Sequence, residues 1–193
     1  MAAICVFGDS TAWGAYDTDA GGWVNILWLH CAENAREIDV YNLSIPGSTI
    51  EMILDRFEAE AKIRGSDTLV FQTGGNEAAY DKDTKEHVVT PEIFEIKIRE
   101  VIARAREVTN NIIFVGFNNC DESKTLPVAW CNLCYTNKYI EDYNNIMKKV
   151  CVENSIKFLD VFGLLEDDDL DDGLHPNTRG HQKIFNFLKS KIL

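Results

Sequence analysis

The sequence has few basic residues and no long apolar stretch. Nineteen lysines and arginines stand against 31 aspartates and glutamates in 193 residues, so the formal net charge is −12. A surface of that sign repels phosphate backbones and anionic lipids, which argues against nucleic-acid binding and against docking on an acidic membrane. No window approaches the length of a membrane span, so no membrane crossing is expected.

The sequence also shows no targeting segment, linker or internal repeat. A strand-like apolar run begins at Ala2, which leaves no room for the charged and apolar regions of a signal peptide. We therefore predict a cytoplasmic protein. The length suits one α/β domain with a single sizeable core, so residues 1–193 are predicted to form one domain. The sequence makes no prediction of oligomeric state.

The six cysteines do not complete a metal-binding pattern. Three of them, in a predicted strand or on predicted helices, are expected to be small buried hydrophobes: Cys5, Cys31 and Cys151. Cys131 and Cys134 form a CxxC pair, and Cys120 precedes it by eleven residues, so three zinc ligands are conceivable. A second CxxC or a histidine pair is missing. This favours reduced thiols in a loop, and no metal or cofactor is expected.

Short apolar runs alternate with longer amphipathic segments, which is typical of repeated βαβ units around a parallel sheet. The predicted strands are Ala2–Phe7, Ile38–Leu43, Thr68–Thr73, Ile112–Phe117 and Ile156–Val161. The predicted helices are Gly22–Asn34, Thr49–Ile63, Pro91–Thr109, Lys138–Glu153 and Thr178–Ile192. Five strands and five helices in strict alternation predict a three-layer α/β/α sandwich. Long connections, at 80–90 and 118–137, follow strands and should emerge at the carboxyl edge, where such folds bind ligands.

Polar side chains are concentrated where the first and last predicted strands end. Ser10 lies in a Gly-Asp-Ser turn between a strand and a helix, where its hydroxyl would be presented at the sheet edge. Taken alone, this turn is better explained as a helix cap. Asp172 and His175 lie three residues apart before the final helix, a spacing that permits a carboxylate–imidazole hydrogen bond. A serine needs such a base and orienting acid to act as a nucleophile.

Two further strand ends could supply donors for an oxyanion. Gly47 follows the second strand and could offer its backbone N–H, and Asn76 follows the third and could offer its side-chain amide. Individually, both are more often ordinary turn residues. A nucleophile, two donors and an acid–base pair at four of five strand ends make coincidence the weaker explanation.

These motifs resemble those of the SGNH (GDSL-type) hydrolases, a family of esterases, lipases and acyl-thioesterases. The resemblance runs from GDSTAWG at 8–14 to DGLHPN at 172–177, in the family's order. It implies a flavodoxin-like α/β/α sandwich with Ser10 as nucleophile, His175 as general base and Asp172 as its orienting acid. It also implies oxyanion donors on Ser10, Gly47 and Asn76, and an acyl-enzyme route that needs no cofactor.

Three positions depart from the family pattern. Glu77 stands where aspartate is usual, Ser44 where glycine is commoner, and Ala12 where threonine is common. None of them removes an implied catalytic group. They affect the expected loop geometry rather than the expected activity.

Other polar and aromatic groups are assigned more modest roles. Trp13 and Trp130 are predicted to line the substrate pocket, with the apolar stretch Leu126–Trp130 forming one wall. The acidic run 167–172 fails the calcium-loop template and is interpreted as a solvated segment. The remaining histidines are expected to be surface or packing residues: His30, His87 and His181.

The leading prediction is a serine ester hydrolase acting on small acylated molecules. The same site could instead serve an acyl-thioesterase, a lysophospholipase or an acyltransferase. A different class of protein, a flavodoxin-like module that binds phosphate or nucleotide at the GDSTAWG turn, would leave DGLHPN unexplained, and the turn lacks basic residues. A zinc-dependent interaction protein built on the three cysteines Cys120, Cys131 and Cys134 is a further alternative.

Overall fold

The computed structural model describes residues 2–193. Its strands are β1 (Ala2–Gly8), β2 (Ile38–Asn42), β3 (Thr68–Gln72), β4 (Tyr80–Asp81), β5 (Ile112–Val115), β6 (Leu133–Cys134) and β7 (Lys157–Leu159). Its α-helices are α1 (Ser10–Trp13), α2 (Trp23–Asn34), α3 (Ile50–Leu54), α4 (Phe57–Ile63), α5 (Gly75–Ala78), α6 (Pro91–Ala105), α7 (Asn137–Glu153) and α8 (Thr178–Ile192). A 3₁₀ turn covers Asp167–Asp169.

Five strands form one parallel sheet in the order β2-β1-β3-β5-β7. The predicted α/β fold with a five-stranded parallel sheet is thereby confirmed. In this order β2 and β3, the next two strands along the chain after β1, lie on opposite sides of β1. This reversal between β1 and β3 opens a crevice at their carboxyl ends, the place where open α/β sheets bind ligands.

Both faces of the sheet are buried, as the unbroken apolar strands predict. In β1, Cys5 and Phe7 point into a core shared with α3, α4, α6 and α7. Ile4 and Val6 point into the opposite core, which is shared with α2 and α8. The sheet is therefore the middle layer of three, and its central strands are held rigidly from both sides.

The second predicted helix is wrong as a single element. It is divided into α3 and α4 at Asp55 and Arg56, where the Arg56 backbone has φ −134° and leaves the helical conformation. The second half is thereby placed so that Phe57 packs edge-on against Phe7 and Phe71 in the core. A helical periodicity does not reveal such a break, because both halves carry apolar faces.

The strict alternation of strands and helices also misses a small ribbon. The long connections contain β4 and β6, which pair antiparallel through Tyr80 with Cys134 and Asp81 with Leu133. Strands of two residues are too short to produce a periodic signal. The ribbon joins the two connections above the carboxyl edge of the sheet. Within residues 2–193, no helix is both long and apolar enough to span a membrane.

Candidate active site

Ser10 is the first residue of α1 and lies two positions after the end of β1, at the crevice of the sheet. The residue that caps this helix is Asp9, whose Oδ1 accepts the N–H of Thr11 at 2.9 Å. The cap interpretation of the turn therefore applies to Asp9, and the Ser10 hydroxyl is left for other contacts. The Ser10 N–H lies in the first turn, where a helix leaves N–H groups without intrahelical acceptors.

Ser10, His175 and Asp172 form a continuous hydrogen-bonded chain. Ser10 Oγ lies 2.8 Å from His175 Nε2, and His175 Nδ1 lies 2.7 Å from Asp172 Oδ2. Because a carboxylate can only accept, the proton of the neutral imidazole is on Nδ1. The lone pair of Nε2 then faces the Ser10 hydroxyl, which is the arrangement a general base requires.

The turn that carries His175 is held from three sides. Asp172 Oδ1 accepts the backbone N–H groups of Leu174 at 2.9 Å and of His175 at 2.8 Å. Asn118 Nδ2 donates to the Leu174 carbonyl at 3.2 Å, and Asp171 N–H donates to the His175 carbonyl at 2.9 Å. These bonds fix the imidazole relative to the sheet before any ligand arrives.

Asp172 is held in its charged form. Burial alone would raise its pKa, but the hydrogen bonds from the ring and backbone of His175 outweigh burial, and the net pKa lies below the ordinary value. An ionised Asp172 would stabilise a positive charge on the His175 ring if that ring accepted a proton.

The predicted oxyanion donors border the same cavity as Ser10 and His175. Gly47 and Asn76 both line this cavity. Asn76 Nδ2 donates one N–H to the Ser48 carbonyl at 2.9 Å, and within residues 2–193 its second N–H has no acceptor. The Gly47 N–H likewise has no acceptor in this part of the chain. The structure thus brings five predicted residues, from four strand ends, to one place.

Glu77 connects the two loops that carry these donors, a role that sequence reasoning missed. Its Oε1 accepts the N–H of Ile50, at the start of α3, and the hydroxyl of Thr73, both at 2.6 Å. Its Oε2 accepts the N–H of Gly74 at 2.9 Å. Burial raises the pKa of this carboxyl despite those bonds. The three-residue spacing from Gly74 resembles a capping box and was the available signal.

A second buried acid, Asp9, lies next to Ser10. Asp9 is almost fully buried, and within residues 2–193 its Oδ2 has no hydrogen-bond partner. Burial raises the pKa of Asp9 to about 7, and the nearby Glu77 adds to the effect. Two buried acids of raised pKa are therefore close to Ser10: Asp9, in the same turn, and Glu77, near Asp9.

The site opens into a cavity of about 530 Å³ with mainly apolar walls. Trp13 and Trp130, the two residues predicted to line a substrate pocket, both border this cavity and are both about half exposed. Tyr16 and Trp130 flank the imidazole of His175, with ring centroids 5.3 and 5.7 Å from it. In the described part of the chain, no Lys, Arg, Asp or Glu lines this cavity.

The apolar stretch before Trp130 does not form the predicted wall. Leu126, Pro127, Val128 and Ala129 are not among the lining residues. Val128 is turned into the core instead, where it is 2% exposed. The wall is formed by residues on the other side of Trp130, which come from β6 and its flanks: Cys131, Leu133 and Tyr135.

The remaining histidines and cysteines discussed in the sequence analysis make no contact in the chain of hydrogen bonds from Ser10 to Asp172. His181 is buried and bridges the N–H of Trp23 and the carbonyl of Ala15, and burial lowers its pKa. Burial raises the pKa of the Cys120 thiol to about 11, whereas Cys131 is exposed. Within residues 2–193, no three His, Cys, Asp or Glu side chains are grouped to hold a metal ion.

Solved structures of esterases and lipases share this fold over nearly the whole chain. A lipase/acylhydrolase from Enterococcus faecalis has 22% identity and a TM-score of 0.79, covering 100% of this chain and 95% of its own. An α/β hydrolase from the Lake Arreo metagenome has 20% identity and a TM-score of 0.78, covering 99% and 94%. An acetylxylan esterase mutant from Geobacillus stearothermophilus has 18% identity and a TM-score of 0.77, covering 99% and 94%.

Sequence comparison identifies the family directly. No curated protein matches this chain at a significant level. The GDSL-like lipase/acylhydrolase family matches residues 6–183, which include the Ser10 turn and the Asp172–His175 turn. The chain therefore belongs to the GDSL-like lipase/acylhydrolase family.

Proposed function

We propose that this hydrolase cleaves carboxylic esters of small, uncharged acylated molecules through an acyl-enzyme on Ser10. The observation that carries the proposal is the chain of hydrogen bonds from Ser10 Oγ to His175 at 2.8 Å and from His175 to Asp172 at 2.7 Å. A serine paired with an oriented neutral imidazole at the wall of an apolar cavity is the arrangement that nucleophilic acyl transfer requires.

In the first half-reaction, His175 Nε2 takes the hydroxyl proton while Ser10 Oγ bonds to the ester carbonyl carbon. The carbonyl oxygen becomes an oxyanion, stabilised by the N–H groups of Ser10 and Gly47 and the amide of Asn76. His175 then gives its proton to the departing alcohol oxygen, and the acyl group stays on Ser10. Water, activated by His175, repeats these steps and releases the acid.

The cavity favours an uncharged substrate. Among the described residues 2–193, no Lys, Arg, Asp or Glu side chain lines it, and the whole chain carries a net charge of −12. The phosphates of acyl-CoA would gain no cationic partner there and would be repelled by the surface. Aromatic and aliphatic walls instead suit an apolar acyl group or the face of an uncharged ring.

The relatives support the same chemistry. The Geobacillus acetylxylan esterase has been crystallised as three catalytic mutants, which replace a serine, an aspartate and a histidine. These are the residue types that we propose as the triad of this chain. An acetylated carbohydrate is accordingly one substrate to include in a panel, beside simple esters.

The test is the Ser10→Ala variant with 4-nitrophenyl acetate as substrate. We expect kcat to fall at least about 1,000-fold without unfolding, because the nucleophile is lost while the donors remain. Ser44→Ala is the matched control, since the buried Ser44 hydroxyl lies close to Gly8 but has no hydrogen-bond partner within residues 2–193. A fluorophosphonate should label the wild type on Ser10. Undiminished turnover in Ser10→Ala, or label on another residue, would contradict the proposal.

A further inference from the structure

Tyr135 contacts the proposed oxyanion donor Asn76 on the side away from the donor nitrogen. Its hydroxyl donates to Asn76 Oδ1 at 3.2 Å, while Asn76 Nδ2 donates to the Ser48 carbonyl at 2.9 Å. Both ends of the amide are therefore engaged. We propose that Tyr135 is a positioning residue for the oxyanion hole, acting on the tetrahedral intermediate through Asn76. This inference rests on the proposed ester hydrolysis.

The two bonds specify one orientation of the amide. If the amide were flipped, Oδ1 would face the Ser48 carbonyl, and two acceptors would be opposed. In the observed orientation one N–H of Asn76 points to Ser48, and the other has no acceptor within residues 2–193 and borders the cavity. That N–H is the one available to an oxyanion.

Donation from Tyr135 also makes Asn76 a better donor. A hydrogen bond to the carbonyl oxygen of an amide draws electron density from its nitrogen, so that the N–H bonds are more strongly polarised. The effect grows as negative charge develops on the substrate, because the chain from hydroxyl to amide to oxyanion then points in one direction. Tyr135 would therefore assist the transition state more than the bound substrate.

The position of Tyr135 is set before substrate binds. Its backbone N–H donates to the Thr125 carbonyl at 2.9 Å, and the Thr125 hydroxyl donates to the Tyr135 carbonyl at 2.8 Å. The residues just before Tyr135 form β6, and Thr136, just after it, is the N-cap of α7. The side chain is 5% exposed, and burial raises the pKa of its phenol, which keeps the donor proton in place.

A second buried tyrosine, Tyr143, allows the proposed role of Tyr135 to be distinguished from the general effect of removing a buried hydroxyl. Tyr143 is also buried, and its hydroxyl donates to the Val89 carbonyl. It does not line the cavity. Tyr143→Phe therefore removes a buried hydroxyl without touching the oxyanion donors and serves as the matched control.

The experiment is a double-mutant cycle on hydrolysis of 4-nitrophenyl acetate. Tyr135→Phe should lower kcat about tenfold with KM changed less than about twofold, which is the range for one lost hydrogen bond. In the Asn76→Ala background, the same substitution should cost less than about twofold, because the group it acts through is gone. Tyr143→Phe should leave kcat within about twofold of the wild type.

A transition-state analogue gives a second readout. A boronic acid that forms a tetrahedral adduct with the serine should bind about tenfold more weakly to Tyr135→Phe than to the wild type. Full activity in Tyr135→Phe, or an undiminished tenfold loss in the Asn76→Ala background, would overturn the inference while leaving ester hydrolysis intact. An inactive wild type would overturn the proposed function, and this inference with it.

Discussion

At the scale of single residues, two buried acids, Asp9 and Glu77, lie close to the proposed nucleophile Ser10. Asp9 and Glu77 have raised pKa values because burial disfavours their charged forms. Glu77 offsets part of this cost through three hydrogen bonds that join the loops of Gly47 and Asn76. Asp9 offsets less, since its Oδ2 lacks a partner within residues 2–193. The turn that presents Ser10 thus carries a pH-dependent penalty on stability.

Asp9→Asn should reduce the dependence of stability on pH. The pKa of Asp9 is about 7 in the folded state against an ordinary value of 3.8, so the folded state binds more protons between those values. The wild type should therefore lose stability as pH rises from 4 to 7, by roughly 3 to 4 kcal/mol from this group. Asparagine stays neutral, and the variant should lack this loss.

The measurement is the free energy of unfolding in urea for both proteins between pH 4 and pH 8. The difference between wild type and variant isolates Asp9 from Glu77 and Asp172, which titrate in both proteins. Parallel curves across this range would show that Asp9 is ionised in the folded state at neutral pH.

At the scale of elements, the end of α1 and the segment that joins it to α2 place Trp13 and Tyr16 beside the cavity. Three features hold it. Gly14 packs directly against the backbone of Gly21 and Gly22. The Asp17 carboxylate accepts the N–H of Gly22 at 2.8 Å, and the hydroxyl of Thr178, in α8, donates to its other oxygen at 2.9 Å. His181, also in α8, contacts the Ala15 carbonyl at 3.2 Å. The last helix therefore supports one wall of the site.

Gly14→Ala tests the close packing of this segment. Gly14 has φ +100°, and a Cβ there would lie 2.1 Å from the Gly21 carbonyl oxygen, so the backbone would have to move. We expect a loss of about 3 kcal/mol or more in the free energy of unfolding, together with reduced esterase activity. Gly65→Ala is the control: its φ is also positive, at +59°, but a Cβ would meet nothing within 4 Å.

Gly65→Ala should cost only about 1 kcal/mol, the strain of the left-handed conformation itself, and should leave activity unchanged. Urea unfolding and 4-nitrophenyl acetate turnover measure both effects. Equal losses in the two variants would mean that the packing of Gly14 against Gly21 contributes nothing beyond backbone strain.

The elements also show where sequence patterns succeed and where they fail. The five sheet strands and the start of α6 at Pro91 follow from apolar runs and from a local cap, which are short-range signals. The break between α3 and α4 accompanies the packing of Phe57 against core phenylalanines that are distant in the sequence. Tyr135 follows β6, one of the two-residue strands, and its contact is with Asn76, 59 positions earlier. Such long-range contacts leave no local pattern. Ser10, His175 and Asp172 could be placed together because each follows a strand of the same parallel sheet.

At the scale of the whole molecule, charge is distributed unevenly between surface and site. The chain carries a net charge of −12, while the cavity is lined by residues without ionised carboxylates or ammonium groups. For the proposed function, the field outside the protein would therefore discriminate among substrates before they reach Ser10. Neutral esters approach without an electrostatic barrier, and polyanionic acyl donors are repelled.

The rate with acetyl-CoA should consequently rise with ionic strength. Repulsion between exposed charges is screened as salt increases from 0.01 to 0.5 M, because the Debye length falls from about 30 Å to a few ångströms. We expect kcat/KM for acetyl-CoA to increase severalfold across this range, and kcat/KM for neutral 4-nitrophenyl acetate to stay within about twofold. A fall in the acetyl-CoA value with added salt would instead indicate a cationic binding region for its phosphates.

The distance along the chain between Ser10 and His175 has a consequence for refolding. The two residues are 165 positions apart, and His175 lies three positions before the first residue of α8, the last helix. Closing so large a loop carries an entropic cost that is recovered only when α8 packs onto the sheet. A chain whose sheet has formed but whose final helix is undocked would retain strand structure and lack the contact between Ser10 and His175. Recovery of esterase activity is therefore a stricter criterion for the native state than recovery of secondary structure.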